Sequence, residues 1–106
     1  MKEKNHEETK IQTEIMIALS QYGIPIRQQS GKFKTMYGGI ISIGIPGMSD
    51  ILFFRNDGKP FWLEIKTKTG RPSKEQIHFI EEMKKINVKA SIIRSVEEAL
   101  NFIKDK

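Results

Sequence analysis

Between residues 7 and 22 the apolar side chains Ile11, Ile15, Ala18, Leu19 and Tyr22 recur at helical spacing, and Gly23 and Pro25 supply a stop. Stepping about 100° per residue around this helix places Glu8 within ~20° of the stripe's centre and Glu14 about 100° to one side. Glu8 is expected to point inward and Glu14 is not. Residues 24–30 read as a short strand. Residues 31–39 mix basic, aromatic and glycine residues without a period, which predicts a loop. Ile41, Ile43 and Ile45 then alternate with Ser42 and Gly44, a second strand closed by Pro46-Gly47.

A third strand, from about Met48, contains the run Ile51-Leu52-Phe53-Phe54, and a fourth contains Phe61-Trp62-Leu63. Between them Asn56-Asp57-Gly58-Lys59-Pro60 has the chemistry of a hairpin loop, so the two strands should pair antiparallel. Folding about Asp57-Gly58 sets Asp50 across from Glu64 to Lys66, and Glu64 and Lys66, two apart, share one face. Thr67-Lys68-Thr69-Gly70-Arg71-Pro72 is a polar connection. Ser73 and Gln76 have the spacing of a capping box that opens a second helix, with Ile77, Ile80 and Met83 as its expected core stripe. Residues 89–94 read as a last strand, and Ser95 caps a final helix bearing Val96, Ala99, Leu100 and Ile103.

The length of 106 residues suits one domain, 1–106, and no internal repeat or linker divides it. A formal charge of +5 favours an anionic partner but does not identify one. The absence of cysteine excludes disulfides and thiolate zinc sites. His6 and His78, far apart in the pattern, read as surface residues rather than a zinc pair. The N-terminus has no signal-peptide apolar region, and no apolar run approaches membrane-spanning length; a soluble, cytoplasmic protein is expected.

The chemistry rests on charges in apolar strands. Asp50, Glu64 and Lys66 lie where desolvation is costly unless a cation compensates the acids. Mg2+ or Mn2+ takes one or two carboxylates plus water and substrate phosphate, which Asp50 and Glu64 can provide, with the Ile65 backbone carbonyl as a further ligand. Such an ion promotes phosphodiester hydrolysis by activating water and neutralising charge on the phosphoryl oxygens. Lys66 would act there as a charged stabiliser or as a base. Glu8 would bind the metal directly or through water, or would only favour the helix dipole. Gln12, one turn on, would hold that carboxylate or a substrate phosphate. The basic, aromatic segment from Lys32 to Tyr37 suits a phosphate backbone, unpaired bases, a dimer contact or solvent.

Gly47-Met48-Ser49-Asp50, Glu64-Ile65-Lys66 and Gly70-Arg71-Pro72-Ser73-Lys74-Glu75-Gln76, in this order, resemble the virus-type replication-repair nuclease (VRR-NUC) domains of the PD-(D/E)xK nuclease superfamily. Glu8 and Gln12 are similar to that family's opening helix, and Arg27-Gln28-Gln29-Ser30-Gly31 resembles its R-x-N-S-G stretch, with Gln29 where asparagine is frequent. Ser49 stands where the superfamily carries its naming proline. The resemblance implies an α/β (α+β), restriction-endonuclease-like core with a mixed central sheet flanked by helices, in the order αβββαβα with an extra strand possible.

It also implies a metal-dependent DNA endonuclease similar to Holliday-junction resolvases, from a bacterial or phage-infected cell. Catalytic roles are implied for Asp50, Glu64 and Lys66, and supporting ones for Glu8 and Gln76. Gln12, Arg27, Ser30, Lys32, Lys34, Lys68 and Arg71 are the substrate-binding candidates. A homodimer is expected, because a four-way junction is cut on paired strands and symmetry presents two sites.

Overall fold

The computed structural model describes residues 6–28 and 31–105. Its elements are α1 (His6–Leu19), β1 (Gly23–Arg27), β2 (Gly31–Lys34), β3 (Ile40–Ile43), β4 (Ile51–Arg55), β5 (Pro60–Ile65), α2 (Lys74–Lys85), β6 (Lys89–Ile93) and α3 (Val96–Phe102). The central sheet has the strand order β1-β4-β5-β6. β1 and β5 flank β4 antiparallel, and β6 joins β5 in parallel through the α2 crossover. β2 and β3 form a separate two-stranded sheet inserted between β1 and β4. Without that insert the order is αβββαβα, the one expected.

Alternation along the strands decides which helix meets which residue. Ile51 and Phe53 of β4 and Phe61, Leu63 and Ile65 of β5 are fully buried, in one core with Ile15 and Leu19 of α1, Ala99 of α3 and Ile103 at the C-cap of α3. The intervening residues face α2: Trp62 meets Phe79 edge-on at 5.0 Å between ring centroids, and Glu64 meets Gln76. Glu64 therefore lies on the α2 side of the sheet.

Four expectations change. The first helix ends at Leu19, and Tyr22, 47% exposed, belongs to the turn into β1. Residues 31–34 are strand rather than loop, because the turn at Thr35 pairs them with β3; that strand ends at Ile43, so Ile45 lies outside it. β4 begins at Ile51, since residues 45–48 close a turn through the Met48 N–H and the Ile45 carbonyl. In α2 the buried face is Phe79 and Ile80, while Ile77 is 42% exposed; the large ring that packs on Trp62 sets the rotation of the helix.

Opposite the site end, Arg55 clamps the β4–β5 turn to the end of α3. Its guanidinium makes two hydrogen bonds to the Asp57 carboxylate, at 2.8 and 2.6 Å, and donates to the carbonyls of Ile103 and Asp105 at 2.7 and 2.5 Å. It also lies 5.2 Å from the centroid of the Phe61 ring. The hydrogen bonds from Arg55 hold the Asp57 carboxyl well below the ordinary carboxylate value, and the Asp57 carboxylate holds the Arg55 guanidinium above its own. A carboxyl with a depressed folded-state value contributes stability that is fully present above the unfolded value of 3.8 and is lost as the pH falls below it. The melting-temperature difference between the wild-type chain and Asp57→Asn is therefore expected to be constant near neutrality and to shrink with acidification below about pH 4. A difference that stays constant into strong acid would show that the clamp adds no pH-dependent stability.

Candidate active site

The register of the β4–β5 hairpin, Ile51 opposite Leu63, continues to place Asp50 opposite Glu64. Asp50 reaches across the strands, and its Oδ2 accepts the Ile65 N–H at 2.7 Å. This hydrogen bond orients one carboxylate on the edge of the pair. Glu64 is fully buried. Lys66, just past the end of β5, brings its Nζ to 3.8 Å from Glu64 Oε2 and 3.9 Å from Glu8 Oε1. The Lys66 ammonium thus stands between a strand carboxylate and one delivered by the first turn of α1. Glu8 is mostly buried and Glu14 exposed, as the helical wheel requires.

The fourth contribution comes from α2. Ser73 caps it: Ser73 Oγ accepts the Gln76 N–H at 3.1 Å, and Gln76 Oε1 accepts the Ser73 N–H at 2.8 Å. The same Gln76 amide donates through Nε2 to Glu64 Oε2 at 3.1 Å. One side chain closes the capping box and holds the buried carboxylate. Gly47 connects this helix end to the Asp50 turn. With φ at +79°, a Cβ on Gly47 would lie 2.1 Å from the Glu75 carbonyl oxygen and 2.7 Å from the Gln76 nitrogen. Only glycine lets the turn before Asp50 rest on the first turn of α2. Between them Ser49 is 1% exposed, and its Oγ meets no hydrogen-bonding group among the described residues.

The remaining candidates divide by burial. Gln12 is 5% exposed, which favours holding the α1 end of the site over touching a substrate. Arg27, Lys34, Lys68 and Arg71 are exposed, on β1, β2 and the loop before α2, where an anionic polymer can reach them. Lys32 lies in β2. Ser30 lies outside the described residues. His78 is a surface residue, 3.6 Å from Glu82 one turn on.

Sequence reading passed over Arg94. Its Nη1 donates to the carbonyls of Thr67 and, at 2.7 Å, Gly70, which ties down the loop that follows Lys66. Its only sequence signal is an arginine ending an apolar strand. Replacing Arg94 by methionine, which keeps the stem but not the donors, is expected to destabilise the fold by about 1–3 kcal/mol and to speed amide exchange at Gly70. Unchanged exchange there would separate the arginine from the loop.

Among the described residues, no three acidic or histidine side chains gather as a ready cluster of metal ligands. Lys66 Nζ lies between Glu8 and Glu64, where the ammonium balances two acids that would otherwise repel. Asp50 and Glu64, opposed on neighbouring strands, are a pair of hard oxygen donors, and the Ile65 peptide lies beside them. That donor chemistry fits Mg2+ or Mn2+, which keep several waters and need only one or two carboxylates.

No family model and no curated protein matches the sequence. Among solved structures the chain superposes on one titled "VRR_NUC domain" with a TM-score of 0.70 at 16% identity, over 94% of this chain and 97% of that one. The αβββαβα order and the mixed sheet are accounted for together: the chain has the fold of a VRR_NUC domain.

Proposed function

We propose that this protein is a Mg2+- or Mn2+-dependent DNA endonuclease that hydrolyses phosphodiester bonds, selectively in branched DNA such as four-way junctions, and works as a homodimer. The observation that carries the reading is the convergence of Asp50, buried Glu64 and Lys66 on one end of an antiparallel pair. Burying an acid such as Glu64, at 0% exposure, is costly for a fold and is the mark of a site that binds something.

Asp50 and Glu64, with the Ile65 carbonyl, would hold the metal, and Glu8 would reach it through water. When bound, the ion supplies positive charge against the charge that builds on the phosphoryl oxygens. Asp50 is kept in line by the Ile65 N–H and Glu64 by the Gln76 amide, so neither carboxylate must reorganise when substrate arrives. The Lys66 ammonium orients the attacking water and faces the transferring phosphoryl group, where negative charge develops. Exposed Arg27, Lys34, Lys68 and Arg71 would contact the phosphates of the DNA backbone. Two copies related by a two-fold axis would offer one site to each of two strands.

The test compares nicking of a labelled four-way junction, a flap and a linear duplex, with Mn2+ and with chelator, beside sedimentation at the same protein concentration. Metal-dependent, paired nicks in the junction support the proposal. Cleavage of the flap alone would make the protein a simpler flap nuclease of the same fold. Binding without cleavage of any substrate would make it a silent nucleic-acid-binding module.

A further inference from the structure

The β2–β3 hairpin leaves and rejoins the sheet beside the site. Gln28, at the exit, donates its N–H to the Asp50 carbonyl oxygen at 2.8 Å, so the insert is rooted on the residue that carries the first acid. Its four-residue strands, at about 3.4 Å per residue, are each ~14 Å long. Ile40 and Ile41 are consecutive strand residues that point to opposite faces, and they are 69% and 51% exposed. Solvent on both faces marks an arm rather than a flap closed on the domain.

The tip is held by its own hydrogen bonds. The Thr35 N–H donates to the Gly39 carbonyl at 2.9 Å, and Thr35 Oγ1 accepts the N–H groups of Tyr37 and Gly39 at 3.3 and 3.0 Å. Gly38, at φ +85°, takes the left-handed position that closes the turn. This frame presents Met36 and Tyr37 to solvent at 89% and 92% exposure. Exposed Lys34 stands at the base of the turn, across from Ile40.

We infer that the hairpin is a DNA-engaging arm: the Tyr37 ring stacks on a base left open at a branch point, Met36 wedges beside it, and Lys34 meets a backbone phosphate. The inference rests on the nuclease reading, because DNA at Asp50 and Glu64 brings the cut strand alongside the root of the arm. Nucleic acid fits better than a second copy of the chain. A narrow convex tip offers far less area than a stable protein interface needs, whereas one aromatic face is enough to hold one base. A continuous duplex hides its base faces and a branch point exposes them, so the arm gives this site its preference for branched DNA.

The experiment uses the full chain with chelator, to suppress cleavage, and 2-aminopurine placed either at the centre of a four-way junction or within a linear duplex. Wild-type protein is expected to quench the junction probe. Tyr37→Ala is expected to weaken junction binding at least ~5-fold, to lose the quenching and to bind linear duplex within about twofold of wild type, while Tyr37→Phe keeps all three properties. Equal junction binding and quenching by Tyr37→Ala would overturn the inference, as would a fall in its sedimentation mass, which would make the arm a self-association surface. Quenching by a wild-type protein that fails to cut with Mn2+ would remove the nuclease reading and leave the arm. Cutting by Tyr37→Ala with unchanged junction preference would do the reverse.

Discussion

Lys66→Ala is expected to lower the rate of DNA cleavage by at least about 10²-fold, the loss seen when one donor aimed at developing negative charge is removed from a preorganised site. The same substitution should reduce stability by about 1–3 kcal/mol, because it leaves Glu64, at 0% exposure, and Glu8 without the ammonium between them. The two effects separate in Glu64→Gln/Lys66→Ala. A glutamine at position 64 carries no charge to be stranded and still offers an oxygen to the Gln76 amide, so the double variant should regain much of the lost stability and none of the activity. Denaturant melts of the four proteins of this cycle, with junction cleavage in Mn2+, make the comparison. Activity in Lys66→Ala within tenfold of wild type would mean that the lysine serves the fold alone.

Gly47→Ala is expected to destabilise the fold strongly. A Cβ there would lie 2.1 Å from the Glu75 carbonyl oxygen, a backbone atom inside a capped helix that has no flexible end to yield. The left-handed φ of +79° adds its own cost for any residue with a side chain. Together these predict a loss of about 2–5 kcal/mol, a large share of the stability of a domain this size. Any folded fraction should have the first turn of α2 displaced, and with it the Gln76 donor on Glu64. Weaker Mn2+ binding by the folded protein, read by titration calorimetry, would follow from that displacement. A Gly47→Ala variant that melts within about 1 kcal/mol of wild type would show that the helix shifts freely and that the contact positions nothing.

Much of the site was legible because its geometry is local. The turn chemistry at Asp57-Gly58 sets the register of β4 against β5, and a period of two then places Asp50, Glu64 and Lys66 at one end without knowledge of any distant contact. Helical phase alone turned Glu8 inward and Glu14 outward. The spacing of Ser73 and Gln76 marked the start of α2 to the residue. Ile77 misled because a helical stripe defines a face only to within a neighbouring position, and the Trp62–Phe79 ring contact selects between candidates. The β2 strand escaped because its residues carry no alternation; it exists by pairing with β3 across the Thr35 turn.

The sequence by itself determined the elements other than β2, the β4–β5 register and the convergence of the three charged residues, since each depends on residues close together along the chain. Only the tertiary structure decided that Lys66 reaches Glu8, and that the glutamine of the capping box also steadies a buried acid. The same holds for Gly47 under α2 and Arg94 on the Lys66 loop. These contacts join segments from 12 to nearly 60 residues apart, as with Gln76 to Glu64 and Lys66 to Glu8. Local periodicity carries no information about such pairs. They are set by how the helices and loops settle on the sheet.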